Sequence, residues 1–212
     1  MNLKAERGAA TRDRVLGIAT RLFSEHGYDG TSIEMVLHES ALSRGALYHH
    51  FAGKDALFEA VFEAVETRIG REIAATVTSG ASAEQALREG SLAWIRLAGD
   101  KVIQRIVLID APSVLGWEKW RELEARHAFG MLKRTLRATR AVREEYLEIH
   151  AHMLLAAINE IALLVARTGQ TEQAERAVED FLARLLDGER PGQGPGALAA
   201  SDLAERDAPT TT

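Results

Sequence analysis

Residues 22–63 read LFSEHGYDGTSIEMVLHESALSRGALYHHFAGKDALFEAVFE. Their pattern decides the fold. Upstream, Val15, Ile18, Ala19, Leu22 and Phe23 recur at helical spacing and form one apolar stripe. Gly27 follows the last apolar turn and suits a left-handed cap. Thr31 with Glu34 three residues on reads as a capping box, so a second, short helix starts there. Ser40–Ser43 reads as a turn, and Ser43 is an N-cap candidate for a third helix over Arg44–His50. Gly53 ends that helix. A long one begins near Lys54, with Leu57, Phe58, Val61, Phe62, Val65 and Ile69 on its apolar side.

Two short helices joined by a tight turn behind a longer one make a helix-turn-helix. A recognition helix enters the major groove only when another helix supports it from behind. Ile33, Val36 and Leu37, with Leu47 and Phe51, supply the inward apolar contacts. That leaves Arg44, Gly45, Tyr48 and His49 facing out. Gly45 allows close backbone approach to DNA, and the Tyr48 hydroxyl suits a phosphate oxygen. Thr31, Ser32, Ser43 and Lys54 sit at helix starts, where free N–H groups and side chains hold phosphates. These eight residues are the candidate DNA contacts. Formal charge adds little: residues 1–55 hold seven basic and seven acidic side chains. The first 21 residues carry five basic and two acidic, so the basic character lies in the arm, with Lys4 and Arg7 able to reach neighbouring phosphates.

The rest of the chain also reads as helical. Ser82 caps a helix carrying Leu87, Trp94 and Leu97. Val102–Ile109 is nearly all apolar, buried on several sides, and ended by Pro112. Trp117, Trp120, Glu124, His127 and Met131 share one stripe of a long helix. Residues 144–167 form a strongly apolar helix, and Thr171–Leu186 another. Of four prolines, three fall in the last 22 residues, so residues 1–190 contain Pro112 alone, an all-α signature. From Gly188 onward the composition turns to Gly, Pro, Ala, Ser and Thr, and 188–212 reads as a disordered tail.

Composition limits the alternatives. The 212 residues are 46% hydrophobic and 27% charged, a globular ratio, with net charge −5. The absence of cysteine excludes disulfides, thiolate metal sites and cysteine nucleophiles. The polar N-terminus has no apolar signal region. The runs Met153–Ile158 and Ile161–Ala166 are each far short of a membrane span, so a cytoplasmic protein without membrane contact is expected.

The segment 12–65 resembles the DNA-binding domain of TetR-family transcriptional regulators. Leu22-Phe23, Gly27-Tyr28, Thr31, Leu42-Ser43, Leu47-Tyr48-His49-His50-Phe51, Lys54 and Leu57 carry the likeness. The later DAPSVLGWEKWRE, residues 110–122, resembles the effector domain of one branch of that family. The sequence departs from the family at Ala41, where glycine is usual in the turn, and at Leu37, where a small residue is common. A left-handed turn at Ala41 is strained. The resemblance implies an effector pocket among the central helices and a four-helix dimer bundle.

The expected fold is all-α with about nine helices. Residues 1–53 would be the helix-turn-helix domain and 54–187 the helical ligand-binding and dimerisation domain. Trp94, Trp117, Trp120 and His127 are candidate ligand contacts. Leu154, Ala157, Ile161 and Val165, with Ala174, Val178, Phe181 and Leu185, are candidate dimer contacts. The implied partners are double-stranded operator DNA, a small hydrophobic effector and a second copy of the chain. No cofactor or metal is expected: His150 and His152 lie roughly 200° apart on a helix and cannot grip one ion together. A di-iron bundle enzyme needs two Glu-x-x-His motifs, and only Glu124–His127 has that spacing. No P-loop, dinucleotide fingerprint or nucleophile elbow is present, and Gly192–Gly196 lies in the tail without a flanking strand or helix. A purely helical protein–protein adaptor is the remaining alternative.

Overall fold

The computed structural model describes residues 3–187, with side chains from Glu6 to Leu186. The Lys4 side chain and the whole 188–212 segment lie outside the described residues. Within them the chain is all-α. The helices are α1 (Leu3–Gly30), α2 (Ile33–Ser40), α3 (Arg44–His50), α4 (Lys54–Thr76) and α5 (Ala83–Leu97). A π-helical segment, Ile103–Asp110, precedes α6 (Ala111–Val114), α7 (Trp117–Arg126) and α8 (Ala128–Thr139). A 3₁₀ turn, Glu144–Tyr146, leads into α9 (Leu147–Thr168), and α10 (Thr171–Asp187) follows.

The early elements form where the periodicity places them, with two differences in how they end. α1 is broken at Gly27, whose φ 72°, ψ 176° is an extended glycine conformation rather than a left-handed cap. α2 is capped by Ser32, which accepts from the Met35 N–H at 3.2 Å. Thr31 stands outside the helix. Its buried hydroxyl donates back to the carbonyls of Gly27 (2.8 Å) and Leu22 (3.1 Å), sealing the bend after α1. The capping box therefore gives way to a simple serine cap, because the inward pocket behind Gly27 claims Thr31. Ala41 at the end of α2 adopts φ 52°, ψ 28°, the left-handed conformation expected to strain an alanine.

Two later expectations fail for local reasons. Pro112 does not end the buried segment; it lies in the first turn of α6, where its missing N–H costs nothing. The preceding turns are wound in π register, the Ala111 N–H reaching Ile106 O. The Trp117–Met131 stripe is not one helix. The chain turns at His127 (φ −108°, ψ −105°), separating α7 from α8. Gly130 permits this corner, since a Cβ there would stand 2.4 Å from Ala125 O.

α5 is the hub of the later helices, packing against α4, α8, α9 and α10. It buries Leu87, Leu92, Trp94 and Ile95. α10 turns Ala174, Val178, Leu182 and Leu186 inward. Leu154, Val165, Ala174 and Val178, expected on a dimer surface, are thus occupied in the chain's own core and unavailable to a second copy. Ala157, Ile161 and Leu185 are half-buried, while Phe181 is 43% exposed. A helix packed between its own core and an outer surface has two apolar faces, and the periodic stripe picked the inner one. Glu144–Thr168 has a mean hydropathy of 1.7 and is long and apolar enough to cross a membrane, against the reading of its separate apolar runs. One side of it packs on α5 and α8 through Leu147, Ala151, Leu155, Ile158 and Ala162.

Candidate nucleic-acid interface and effector cavity

α3 is held from behind by Leu47 and Phe51, both buried, the latter under the Arg12 guanidinium at 5.2 Å. Its N-terminus is capped by Ser43, which accepts from the Ala46 N–H at 3.2 Å. Arg44, Gly45, Tyr48 and His49 are exposed, as a groove-facing row requires, and Ser43 is exposed beside them. His50 is half-buried, stacked edgewise on His49 at 5.4 Å. Leu37 is partly buried against the common core.

The row is not bare. Arg44 donates to Glu34 Oε1 of α2 at 2.7 Å. The Glu34 carboxyl is held below its ordinary range, first by its own backbone N–H and then by Arg44. Sequence reasoning missed this pair, because the capping-box reading had assigned Glu34 to the helix end. Once Ser32 is recognised as the cap, Glu34 falls at the second helical position and its carboxylate is free.

Two neighbouring groups complete the surface. Arg14 donates to the Ser40 carbonyl at the end of α2. Lys54 begins α4, its ammonium 4.0 Å above the Tyr28 ring. Gly53 offers no side-chain cap, so the first N–H groups of α4 stay open. The Tyr28 hydroxyl bonds to Asp55, and burial, followed by that carboxylate, pushes its pKa up to about 12. Ser32, half-buried, lies at the start of α2. Of the eight predicted contacts, Thr31 offers nothing to a phosphate, because its hydroxyl is turned inward and already used. The other seven all lie at α3 or at the starts of α2 and α4. Together they can hold phosphates with hydroxyls, N–H groups and a cation, and present an Arg, a Tyr and a His to a groove.

α4 runs from this surface into a second site. A cavity of about 310 Å³ lies among α4, α5, α8 and α9, walled by Ile73, Val77, Leu87, Trp94, Met131 and Ile158 among others. Of the four predicted ligand residues only Trp94 reaches it, its indole N–H donating to Asn159 Oδ1 at 3.0 Å. Trp117 is 64% exposed and stacks with Trp120 and Arg121 on the outer side of α7. His127 is spent on the corner between α7 and α8. The broken stripe explains both losses.

Several contacts tie α4 and the bend after α1 to the rest. Asp110, nearly buried, accepts from the Tyr28 N–H at 2.8 Å and from Arg105 Nε at 3.1 Å. Lys119 pairs with Glu59 at 2.9 Å and Arg126 with Glu63 at 3.2 Å, joining α7 to α4. Glu66, also on α4, is buried and its Oε2 has no hydrogen-bond partner. Burial, and secondarily the charge of Glu124, pushes its pKa up to about 7. Glu124 itself is raised by burial, against the pull of Arg121 at 2.7 Å.

This arrangement has counterparts. Residues 15–61 match the family described as bacterial regulatory proteins, tetR family, and residues 84–189 match the tetracyclin repressor-like C-terminal domain. The transcriptional regulator AcrR of Shigella flexneri is 40% identical over 60 residues, 28% of this chain and 28% of its own length. A helix-turn-helix transcriptional repressor of Mycobacterium tuberculosis is 45% identical over 53 residues, 25% of this chain and 28% of its own. The chain thus matches little more than a quarter of these curated relatives. A TetR-family regulator structure from Pectobacterium atrosepticum reaches much further. It covers 85% of this chain and 96% of its own at TM-score 0.68 and 29% identity. With both family matches falling on the elements that build the two sites, the chain belongs to the TetR family of bacterial regulatory proteins.

Proposed function

We propose that the chain is a homodimeric, ligand-responsive transcriptional repressor that works on cytoplasmic DNA. Residues 1–53 bind a roughly palindromic operator, and 54–187 bind a small hydrophobic effector and dimerise. The observation that carries this reading is α3: a Ser43-capped helix pinned by Leu47 and Phe51, with Arg44, Gly45, Tyr48 and His49 turned to solvent. α4 supports the switching part, since it starts at Lys54 beside that surface and ends at Ile73, Ala74 and Val77 in the cavity wall. A ligand that fits one tilt of α4 better than another changes the spacing of two recognition helices. A coupling of ~1–3 kcal/mol alters operator affinity about 5- to 150-fold. The repressor sense is supported by the Mycobacterium tuberculosis relative, which is described as a repressor.

The dimer surface is reassigned to the outward faces of α9 and α10. Ile149, Met153 (63% exposed), Leu164 and Phe181 expose large apolar side chains there, and Ala157 and Ile161 flank them. Paired about a two-fold axis, two such faces form a four-helix bundle and set recognition helices roughly 34–36 Å apart or somewhat more.

A footprint of the protein on DNA flanking its own gene tests the reading, with Arg44→Ala and Lys54→Ala beside the parent. Arg44→Ala should relax base preference at one position in each half-site. Lys54→Ala should weaken all sequences alike and lower the salt slope by about 0.9 per lost phosphate contact. No protection on any fragment at low salt refutes the proposal.

A further inference from the structure

The cavity wall carries three polar side-chain groups with a hydrogen to give, and two of them are spent. The Trp94 indole N–H goes to Asn159 Oδ1 at 3.0 Å, and the Thr135 hydroxyl donates to the Met131 carbonyl at 3.1 Å. The third is Ser91, on the buried side of α5. It is 5% exposed, and its Oγ has no hydrogen-bond partner in the protein. A mid-helix serine ordinarily satisfies its hydroxyl on the carbonyl one turn back. Here the hydroxyl stays free at the cavity wall. Leaving a buried hydroxyl unpaired is costly, and an incoming acceptor removes that cost. No Asp, Glu, Lys, Arg or His is among the residues lining the cavity. An ionised ligand would therefore lose its hydration without gaining a counter-charge.

We infer that the cavity selects an uncharged, largely aliphatic molecule carrying one acceptor oxygen, a carbonyl or ether-type oxygen, seated on Ser91. The volume of about 310 Å³ is that of some ten liquid waters at about 30 Å³ each, which sets the ligand at roughly ten to twelve non-hydrogen atoms. The acceptor lies at the α5 side and the alkyl body runs toward Met131, Leu132 and Ile158. The link from this binding to operator release rests on the proposed function; the ligand class itself rests only on the cavity.

The test uses the full chain with Trp117→Phe and Trp120→Phe, so that Trp94 alone reports on the cavity. The probes are 2-decanone, its isostere 2-methyl-1-decene, decanoate and decylammonium. The ketone should bind more tightly than either ion. The ketone-to-alkene affinity ratio should fall about three- to tenfold in Ser91→Ala, the worth of one hydrogen bond. Comparing ratios cancels any general loosening by the substitution, and the ranking against the ions needs no variant at all. An ion bound as tightly as the ketone, an unchanged ratio, or no response of Trp94 to any probe overturns the inference. Operator binding is followed in the same titration. Ser91-dependent ketone binding that leaves operator affinity untouched supports the ligand class and defeats the effector role. Operator release by an ion with Trp94 undisturbed defeats the ligand class and keeps the regulator.

Discussion

Replacing Glu66 with glutamine isolates the one fully buried carboxyl on the helix that joins the two sites. In the unfolded chain this carboxyl titrates near 4.5, and in the folded protein burial and the neighbouring Glu124 raise it to about 7. Below pH 4.5 both states are protonated and the side chain is neutral in each. Between 4.5 and 7 the unfolded chain has released its proton while the folded one keeps it, so stability falls as pH rises. Above 7 the folded protein also carries the charge and the penalty is complete. At about 1.4 kcal/mol per tenfold change in proton affinity, the full difference is on the order of 3 kcal/mol. Glutamine has the same shape and no charge, so Glu66→Gln should match the parent near pH 4.5. By pH 8 it should be more stable by up to about 3 kcal/mol. Urea unfolding followed by circular dichroism at pH 5, 6, 7 and 8, at one protein concentration, reads this directly. A difference that stays constant across that range, or a variant less stable than the parent at pH 8, refutes the reasoning. It would mean that the carboxylate is solvated or paired in the folded protein.

Four other expectations address separate parts of the structure. Ala41→Gly relieves a left-handed alanine and should stabilise the protein by up to about 1 kcal/mol, read as a rise in Tm; a fall contradicts the strained turn. Gly130→Ala drives a Cβ onto the fixed Ala125 carbonyl, so it should cost about 1–3 kcal/mol and open the corner between α7 and α8; a silent substitution shows that the corner is loose. Glu34→Gln releases Arg44 and removes a negative charge beside the phosphates. Operator affinity, measured by anisotropy at low salt, should rise about two- to fivefold, and a decrease means that the pair preorganises Arg44 for DNA. Phe181→Asp should give monomers in sedimentation with operator binding nearly lost; an intact dimer puts the interface elsewhere.

The DNA-facing end was legible because each of its short helices carries its own start signal. Ser43 before Arg44-Gly45 marks α3, and the polar row on α3 follows from the spacing of Leu47 and Phe51. Even there Thr31 misled. A threonine before a helix reads as a cap, and only the folded pocket behind Gly27 shows that its hydroxyl has a better partner within the chain. The Arg44–Glu34 pair was hidden by the same error.

The later helices were legible as helices and not as surfaces. Apolar period alone determined that 54–187 is helical, because every turn there repeats a stripe long enough to bury. It does not say which partner buries that stripe. On α10 the Ala174–Val178 face goes to α5 of the same chain, leaving Phe181 outside, and no local rule separates those outcomes. The break at His127 depends on the close approach of Gly130 to Ala125, which sends Trp117 and Trp120 away from the cavity while Trp94 stays. Helix type and the DNA-reading row are set by neighbours within a few residues, so the linear order determined them. The cavity, the unpaired Ser91 and the buried Glu66 arise where four helices far apart in the chain meet, and only their packing decided those.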